Sequence, residues 1–163
     1  MSLGNLPAAV VGMLQAQGLT ITTAESFTGG QLAAALTAVP GASRVFPVGW
    51  VTYAAEQKTA QLGVEQAVIE GAGLVSDHVA ASMAEGALAR SGAHLALSTT
   101  GSAGPDPLEQ EGHEPAPVGR IYVALARQGF QTQARGFDFP PPRSNIQLCG
   151  VQAALALAME ALS

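Results

Sequence analysis

Apolar and polar positions along this chain follow two rhythms, one of about 3.6 residues and one of two. Leu6 to Gln17, with Val10, Val11, Met13 and Leu14 apolar, predicts a helix closed by Gly18. The run Thr20–Thr23 is β-branched and predicts a short buried strand. From Gly29-Gly30 to about Ala38 the pattern turns helical, and Val39-Pro40-Gly41-Ala42-Ser43 breaks it as a loop. Val45–Tyr53 predicts a strand, Ala54–Leu62 a helix ended by Gly63, and Val64–Ile69 a further helical turn or two. Ser76-Asp77-His78 opens a helix with Val79, Met83, Ala87 and Leu88 on one face, closed by Gly92. His94–Thr100 predicts a strand running into the glycine turn Gly101-Ser102-Ala103-Gly104-Pro105. Asp106–Pro117, with three prolines and four acids, predicts a surface loop. Val118–Arg127 and Phe130–Phe139, joined at Gln128-Gly129, predict a β-hairpin stopped by Pro140-Pro141-Pro142, and Arg143–Leu162 predicts the last helix. Alternating strands and helices with one hairpin give an α/β fold, a three-layer α/β/α sandwich on a mixed sheet, as one domain over 1–163.

Composition narrows what such a fold can do. Charged residues make up 12% and hydrophobic residues 48%, which suits a packed globular chain and argues against disorder. The net charge of −5, with seven Lys and Arg in all and no basic cluster, argues against a nucleic-acid surface. One cysteine, Cys149, excludes an intramolecular disulfide and a cysteine-rich zinc site; it falls in an apolar helical run and reads as a core residue. The apolar stretches are alanine-rich and broken by polar residues, and no N-terminal leader pattern is present, so the expectation is a cytoplasmic protein without a membrane segment.

Candidate chemistry gathers at strand ends. Glu25 and Ser26 sit where a strand hands over to a helix, and free N–H groups at a helix start favour negative charge. Ser26 there is either a nucleophile beside an oxyanion or phosphate site, or, with Thr28, an ordinary N-cap. Lys58 is the only lysine. In an apolar crevice it loses hydration and can accept a proton from a serine; on the outer face of its helix it is a solvated charge. Tyr53, five residues earlier, reads as a half-buried strand aromatic. Thr100 with its glycine turn, and Arg143, complete the set, because ligand crevices of open α/β sheets lie at the carboxyl ends of strands.

The run Thr23-Ala24-Glu25-Ser26-Phe27-Thr28-Gly29-Gly30 resembles the signature Thr-Ala-Glu-Ser-Cys-Thr-Gly-Gly of the CinA C-terminal domain family, which includes nicotinamide mononucleotide amidohydrolases. The likeness continues through Val39–Ser43, Val51-Thr52-Tyr53 with Lys58, Leu62-Gly63-Val64, Val75-Ser76, Met83-Ala84 with Gly86, Thr100–Pro105 and Pro117-Val118-Gly119, and covers roughly residues 5–162. It implies a serine amidase acting on a small-molecule nucleotide. Ser26 would be the nucleophile and Lys58 its base, with Tyr53 and Thr100 in support. Thr28, Gly29, Gly30, Gly101, Ser102, Gly104 and Arg143 would bind substrate, with the helix-start N–H groups holding the oxyanion and Arg143 or the glycine turn the 5′-phosphate. No metal or other cofactor is implied. The expected partners are the substrate and further copies of the chain in a dimer or trimer, with no nucleic acid and no membrane.

The chain departs from the family pattern in several places. Phe27 stands where cysteine is usual, which predicts a bulky ring beside the nucleophile, and Trp50 stands where glycine is common. The loop 106–116 has gained acids and carries Ala116 where a lysine is expected; Gln147 replaces a second arginine. These changes predict weaker phosphate binding. The alternative to an active amidase is therefore a catalytically weak or inactive member that binds a nucleotide or a partner. His113 is expected to be solvent-exposed in its loop, and His78 and His94 to be structural.

Overall fold

Large and small side chains alternate along the two central strands, and that alternation decides which helices lie on which side. In β3 (Leu95–Gly101), Leu95 and Leu97 point to one face; Ala96 and Ser98 point to the other. In β6 (Arg120–Arg127), Ile121, Val123 and Leu125 share the first face, and Ala124 and Ala126 the second. The computed structural model describes residues 2–163. Its five-stranded sheet is completed by β1 (Ile21–Glu25), β2 (Gly49–Val51) and β7 (Gln133–Asp138), in the order β2-β1-β3-β6-β7. β2, β1 and β3 are parallel, and β6 and β7 join antiparallel.

The face of large aliphatics takes α1 (Leu6–Gln17), α2 (Gln31–Thr37) and α6 (Arg143–Leu162), whose Leu14, Leu32, Leu36, Ile146, Val151 and Leu155 are buried against it. The face of small residues takes α3 (Ala55–Leu62), α4 (Gln66–Ala72) and α5 (Asp77–Ser91). Small side chains on both partners let α5 approach closely: the Ser98 hydroxyl donates to the Ala80 carbonyl, and a Cβ on Gly86 would collide with the Leu62 carbonyl of α3. α6 is 20 residues long with a hydropathy of 1.3, apolar enough by composition to cross a bilayer, a feature the pattern of broken apolar runs did not predict. Its apolar stripe is spent on the sheet instead, with half of that window buried.

The three-layer architecture on a mixed sheet agrees with the sequence expectation. Three local differences matter for the site. β2 is only three residues long, so Thr52 and Tyr53 lie beyond it rather than in a strand. The segment 106–117 is not a plain loop: β4 (Leu108–Gln110) and β5 (His113–Ala116) pair as a small second sheet. That hairpin is pinned to the α4–α5 region, because Gln110 accepts from the Val75 N–H (2.8 Å) and His113 Nε2 lies 2.7 Å from the Glu70 carbonyl. His113 is thus half-buried and structural, not free in solvent.

Candidate active site

β1, β2 and β3 run parallel, so their carboxyl ends lie on one edge, and the residues that follow them face one another there. Ser26 follows β1, Thr52 follows β2, and Ser102 follows β3. The Ser26 N–H donates to the Thr99 carbonyl (3.1 Å), and the Thr52 N–H donates to the Glu25 carbonyl (2.8 Å). The serine turn is therefore tied to both neighbouring strands before any side chain is considered.

Glu25 organises the turn. Its carboxylate is fully buried and accepts from the Thr28 hydroxyl (2.6 Å), the Leu32 N–H (2.8 Å) and the Ala33 N–H (3.1 Å). Thr28 spends its one proton on Glu25, so the 2.8 Å contact between Thr28 and Thr99 must be donated by Thr99. Thr99 Oγ1 in turn accepts from the Ser26 N–H at 3.3 Å. A directed chain thus runs from the Ser26 amide through two hydroxyls to one carboxylate. Gly29 and Gly30 close the turn at φ of 58° and 99°, values that side chains other than glycine rarely tolerate.

This arrangement corrects the reading of the helix start as an anion site. The first N–H groups of α2 are satisfied, that of Gln31 by the Thr28 carbonyl and those of Leu32 and Ala33 by Glu25, so they are not available to an oxyanion. Thr28 is fully buried, and neither it nor Gly29 nor Gly30 is among the residues that line the cleft in front of Ser26. Among the described residues, the N–H groups of Phe27, Thr28 and Gly30 carry no hydrogen bond within the protein. Phe27, directly after the serine, is the donor in the position that acyl-transfer sites use. Its ring does not crowd Ser26: it is buried in the core against α6, where a Cβ on Gly150 would run into it.

Lys58 reaches the serine as the fourth residue of α3. Its side chain is fully buried; Nζ lies 3.0 Å from Ser26 Oγ and donates to the Thr52 carbonyl at 2.6 Å. Among the described residues no carboxylate forms an ion pair with it. Burial disfavours the ammonium and pulls its pKa from 10.5 down to about 8, against a smaller opposite pull from Glu56. The solvated-lysine alternative is therefore excluded by the fold. Ser26 is 8% exposed, enough to face the cleft but not to leave it.

The cleft in front of Ser26 is lined by Thr100, Gly101, Ser102 and Gly104 on one side and by Tyr53 and Arg143 on another. Thr100 is buried and donates its hydroxyl to the Leu74 carbonyl (3.0 Å), fixing the wall rather than touching Ser26. Tyr53 is 59% exposed, and its hydroxyl accepts from Arg143 Nη2 at 2.6 Å; it bonds neither Ser26 nor Lys58. Arg143, the first residue of α6, also donates to the Gly104 carbonyl at 2.6 Å, so it spans the mouth of the cleft between two neutral acceptors. Ala116 is buried and Gln147 donates to the Phe27 carbonyl (3.0 Å); neither lines the cleft. Sequence reasoning overlooked the Thr52 carbonyl, which no side-chain pattern could reveal. It also missed Glu25 as a cap, since a carboxylate serving N–H groups seven and eight residues on matches no local capping motif.

The profile of the CinA C-terminal domain matches residues 4–162. The chain belongs to that family. It is 45% identical over 157 residues to a CinA-like protein of Akkermansia muciniphila, covering 96% of this chain and 37% of that protein. A CinA-like protein of Chlorobium phaeobacteroides is 43% identical over 162 residues, with 97% and 38% covered. The chain thus spans less than two-fifths of the length of these curated CinA relatives. Among solved structures, the competence or damage-inducible protein of Enterobacter asburiae superposes with a TM-score of 0.92 at 29% identity, covering 100% of this chain and 99% of that one. The competence/damage inducible protein CihA of Agrobacterium tumefaciens gives 0.89 at 34% identity, with 99% and 98% covered. The CinA fold and this chain's three-layer sheet are therefore one architecture.

Proposed function

We propose that the protein is an amidohydrolase that converts nicotinamide mononucleotide to nicotinate mononucleotide and ammonia, with Ser26 as nucleophile and Lys58 as general base. One observation carries the reading: a buried lysine with no ion-pair partner among the described residues stands 3.0 Å from the hydroxyl of a serine that faces a cleft. A lysine kept at such a site for structure alone would carry a desolvation cost without an ion pair to offset it. A lysine kept as a base needs its pKa lowered toward neutrality, and burial supplies that.

The steps follow from the contacts. In the neutral amine one N–H donates to the Thr52 carbonyl, and the lone pair faces Ser26 Oγ. Oγ attacks the carboxamide carbon while its proton passes to Lys58. The oxyanion that forms is held by the Phe27 N–H, which has no partner among the described residues. The tetrahedral intermediate collapses as the Lys58 ammonium returns the proton to the leaving nitrogen, releasing ammonia and leaving an ester on Ser26. Water enters from the cleft, gives its proton to Lys58 and attacks the ester carbon. Lys58 passes that proton to Ser26 Oγ as it departs as the hydroxyl, and the freed carboxylic acid ionises to the carboxylate.

The test is ammonia release from nicotinamide mononucleotide by the purified protein, with hydroxylamine added to compete with water. Ammonia together with a hydroxamate is the expected pair of products, because an acyl-enzyme can be intercepted. Calorimetric binding without any ammonia would sink the reading and leave a nucleotide-binding protein.

A further inference from the structure

We propose that Asp106 is a specificity-determining residue, selecting substrates whose amide sits on a positively charged ring; this rests on the amidohydrolase reading above. Four acids crowd residues 106–114, but Asp106 alone among them lines the cleft with Ser26. Glu109, Glu111 and Glu114 are exposed on the hairpin away from it, which is why added acid in this segment does not translate into a repulsive cleft. Arg143 is the single cation among the cleft-lining residues. Among the described residues the two opposite charges form no ion pair: Arg143 is turned to the Gly104 carbonyl and the Tyr53 hydroxyl, and Asp106 has no hydrogen-bond partner. One cleft thus presents a separate anion and a separate cation, with Leu74 and Leu108 as apolar lining between polar groups.

That pattern is complementary to a zwitterion. A flat ring can lie on the leucines; if the ring carries a positive charge, Asp106 is attractive to it, and if the ring is neutral, Asp106 offers nothing and opposes the developing oxyanion. Asp106 lies two residues before the hairpin, which is itself anchored through Gln110 and His113, so the backbone that carries Asp106 is tethered on its C-terminal side. A contact between exposed charges is modest and salt-sensitive, so the discrimination expected from Asp106 alone is roughly three- to fivefold.

The experiment uses the full chain carrying Ser26→Ala, so that binding is read without turnover. Calorimetry compares nicotinamide riboside, a cation without phosphate, with its neutral carbon-linked isostere, 3-carbamoylphenyl riboside. Asp106→Asn is expected to weaken the riboside by roughly three- to fivefold at low salt, to leave the isostere unchanged, and to abolish the salt dependence of the difference; Asp106→Glu should restore most of it. Equal effects on both compounds, no effect on either, or no binding of either by the parent would overturn the assignment. Ammonia release by the wild-type serine is measured in parallel: its absence with the binding preference intact would remove the amidohydrolase reading and keep the charge selection.

Discussion

Ser26 and Arg143 line the same cleft, yet they belong to two differently built regions. The inner wall consists of residues that are 8% exposed or less: Ser26, Lys58, Thr100 and, behind them, Glu25. Each is fixed by bonds to backbone or to buried side chains, Glu25, Ser26 and Thr100 at the carboxyl ends of β1 and β3 and Lys58 on α3. The rim consists of Tyr53, Asp106 and Arg143, all exposed, on the loop after β2, the glycine turn and the first residue of α6. The inner wall sits at low dielectric, where burial brings the Lys58 pKa from 10.5 down to about 8. The rim sits in water, where charges are screened and hydrogen bonds exchange with solvent. Under the proposed function, chemistry belongs to the wall and recognition to the rim, and each assignment can be broken separately.

The largest effect is expected from Ser26→Ala. Only a hydroxyl is lost, so stability should change by less than about 0.5 kcal/mol, whereas ammonia release should fall by at least about 10³-fold because an essential nucleophile is gone. Residual activity within tenfold of wild type, measured on protein with an unchanged melting temperature, would move the chemistry off this wall.

Lys58 follows closely, and it separates base from structure. Lys58→Arg should lose nearly as much activity as Lys58→Met, because a guanidinium does not give up its proton. With a folded pKa of about 8, kcat/KM should climb with pH through 8 and level off above it. Stability should follow the same group with a defined sign. Its pKa is lowered from 10.5, so the unfolded chain binds the proton more tightly, and wild-type stability should rise as pH goes from about 8 toward 10.5. Below pH 8 the buried ammonium costs about 3 kcal/mol. Lys58→Met should therefore be the more stable protein at pH 7, with an advantage that shrinks above pH 8. Chemical denaturation at pH 7 and 10 checks this, and a variant less stable at both values would contradict it.

A smaller effect is expected at Glu25, where wall geometry can be loosened without removing a reacting group. Glu25→Gln keeps an acceptor for Thr28 and Leu32 but turns an NH₂ toward the Ala33 N–H, donor against donor. The cost is about 1–3 kcal/mol of stability, and kcat should drop on the order of tenfold as the Ser26 turn relaxes. A drop in stability with unchanged kcat would show that Glu25 caps α2 and no more.

The same division explains what could be read from the chain alone. Helix and strand periodicity located α1, α3, α5, α6 and the three-layer sandwich, because each of these elements buries one face. The Ser26 and Lys58 pair was legible only through the resemblance: nothing in Ala54–Leu62 distinguishes a buried lysine from a solvated one, since its burial comes from β1 and the segment after β2 folding around it. The β4–β5 hairpin was illegible because its strands are three and four residues long and contain a proline. The helix-start anion site was misread for a related reason. A carboxylate supplied from β1 satisfied N–H groups that local pattern leaves open.

The finest test of the comparison lies at the rim, with the phosphate. Two substitutions against the family pattern, at Ala116 and Gln147, suggested a weakened grip, but neither residue lines the cleft, whereas Arg143 stands at its mouth with N–H groups to spare beyond its bonds to Gly104 and Tyr53. A charge-assisted contact is worth about 1.5–3 kcal/mol when dry, and exposure reduces it. Arg143→Ala should therefore lower kcat/KM for nicotinamide mononucleotide by about tenfold, through KM, and change the riboside by less than about twofold. Tyr53→Phe removes only the acceptor that steers the guanidinium, so it should cost about threefold on the mononucleotide and nothing on the riboside. If Tyr53→Phe instead lowered kcat on both compounds, Tyr53 would belong with Ser26 and Lys58 in the chemistry, and the boundary between wall and rim would have to be drawn outside it.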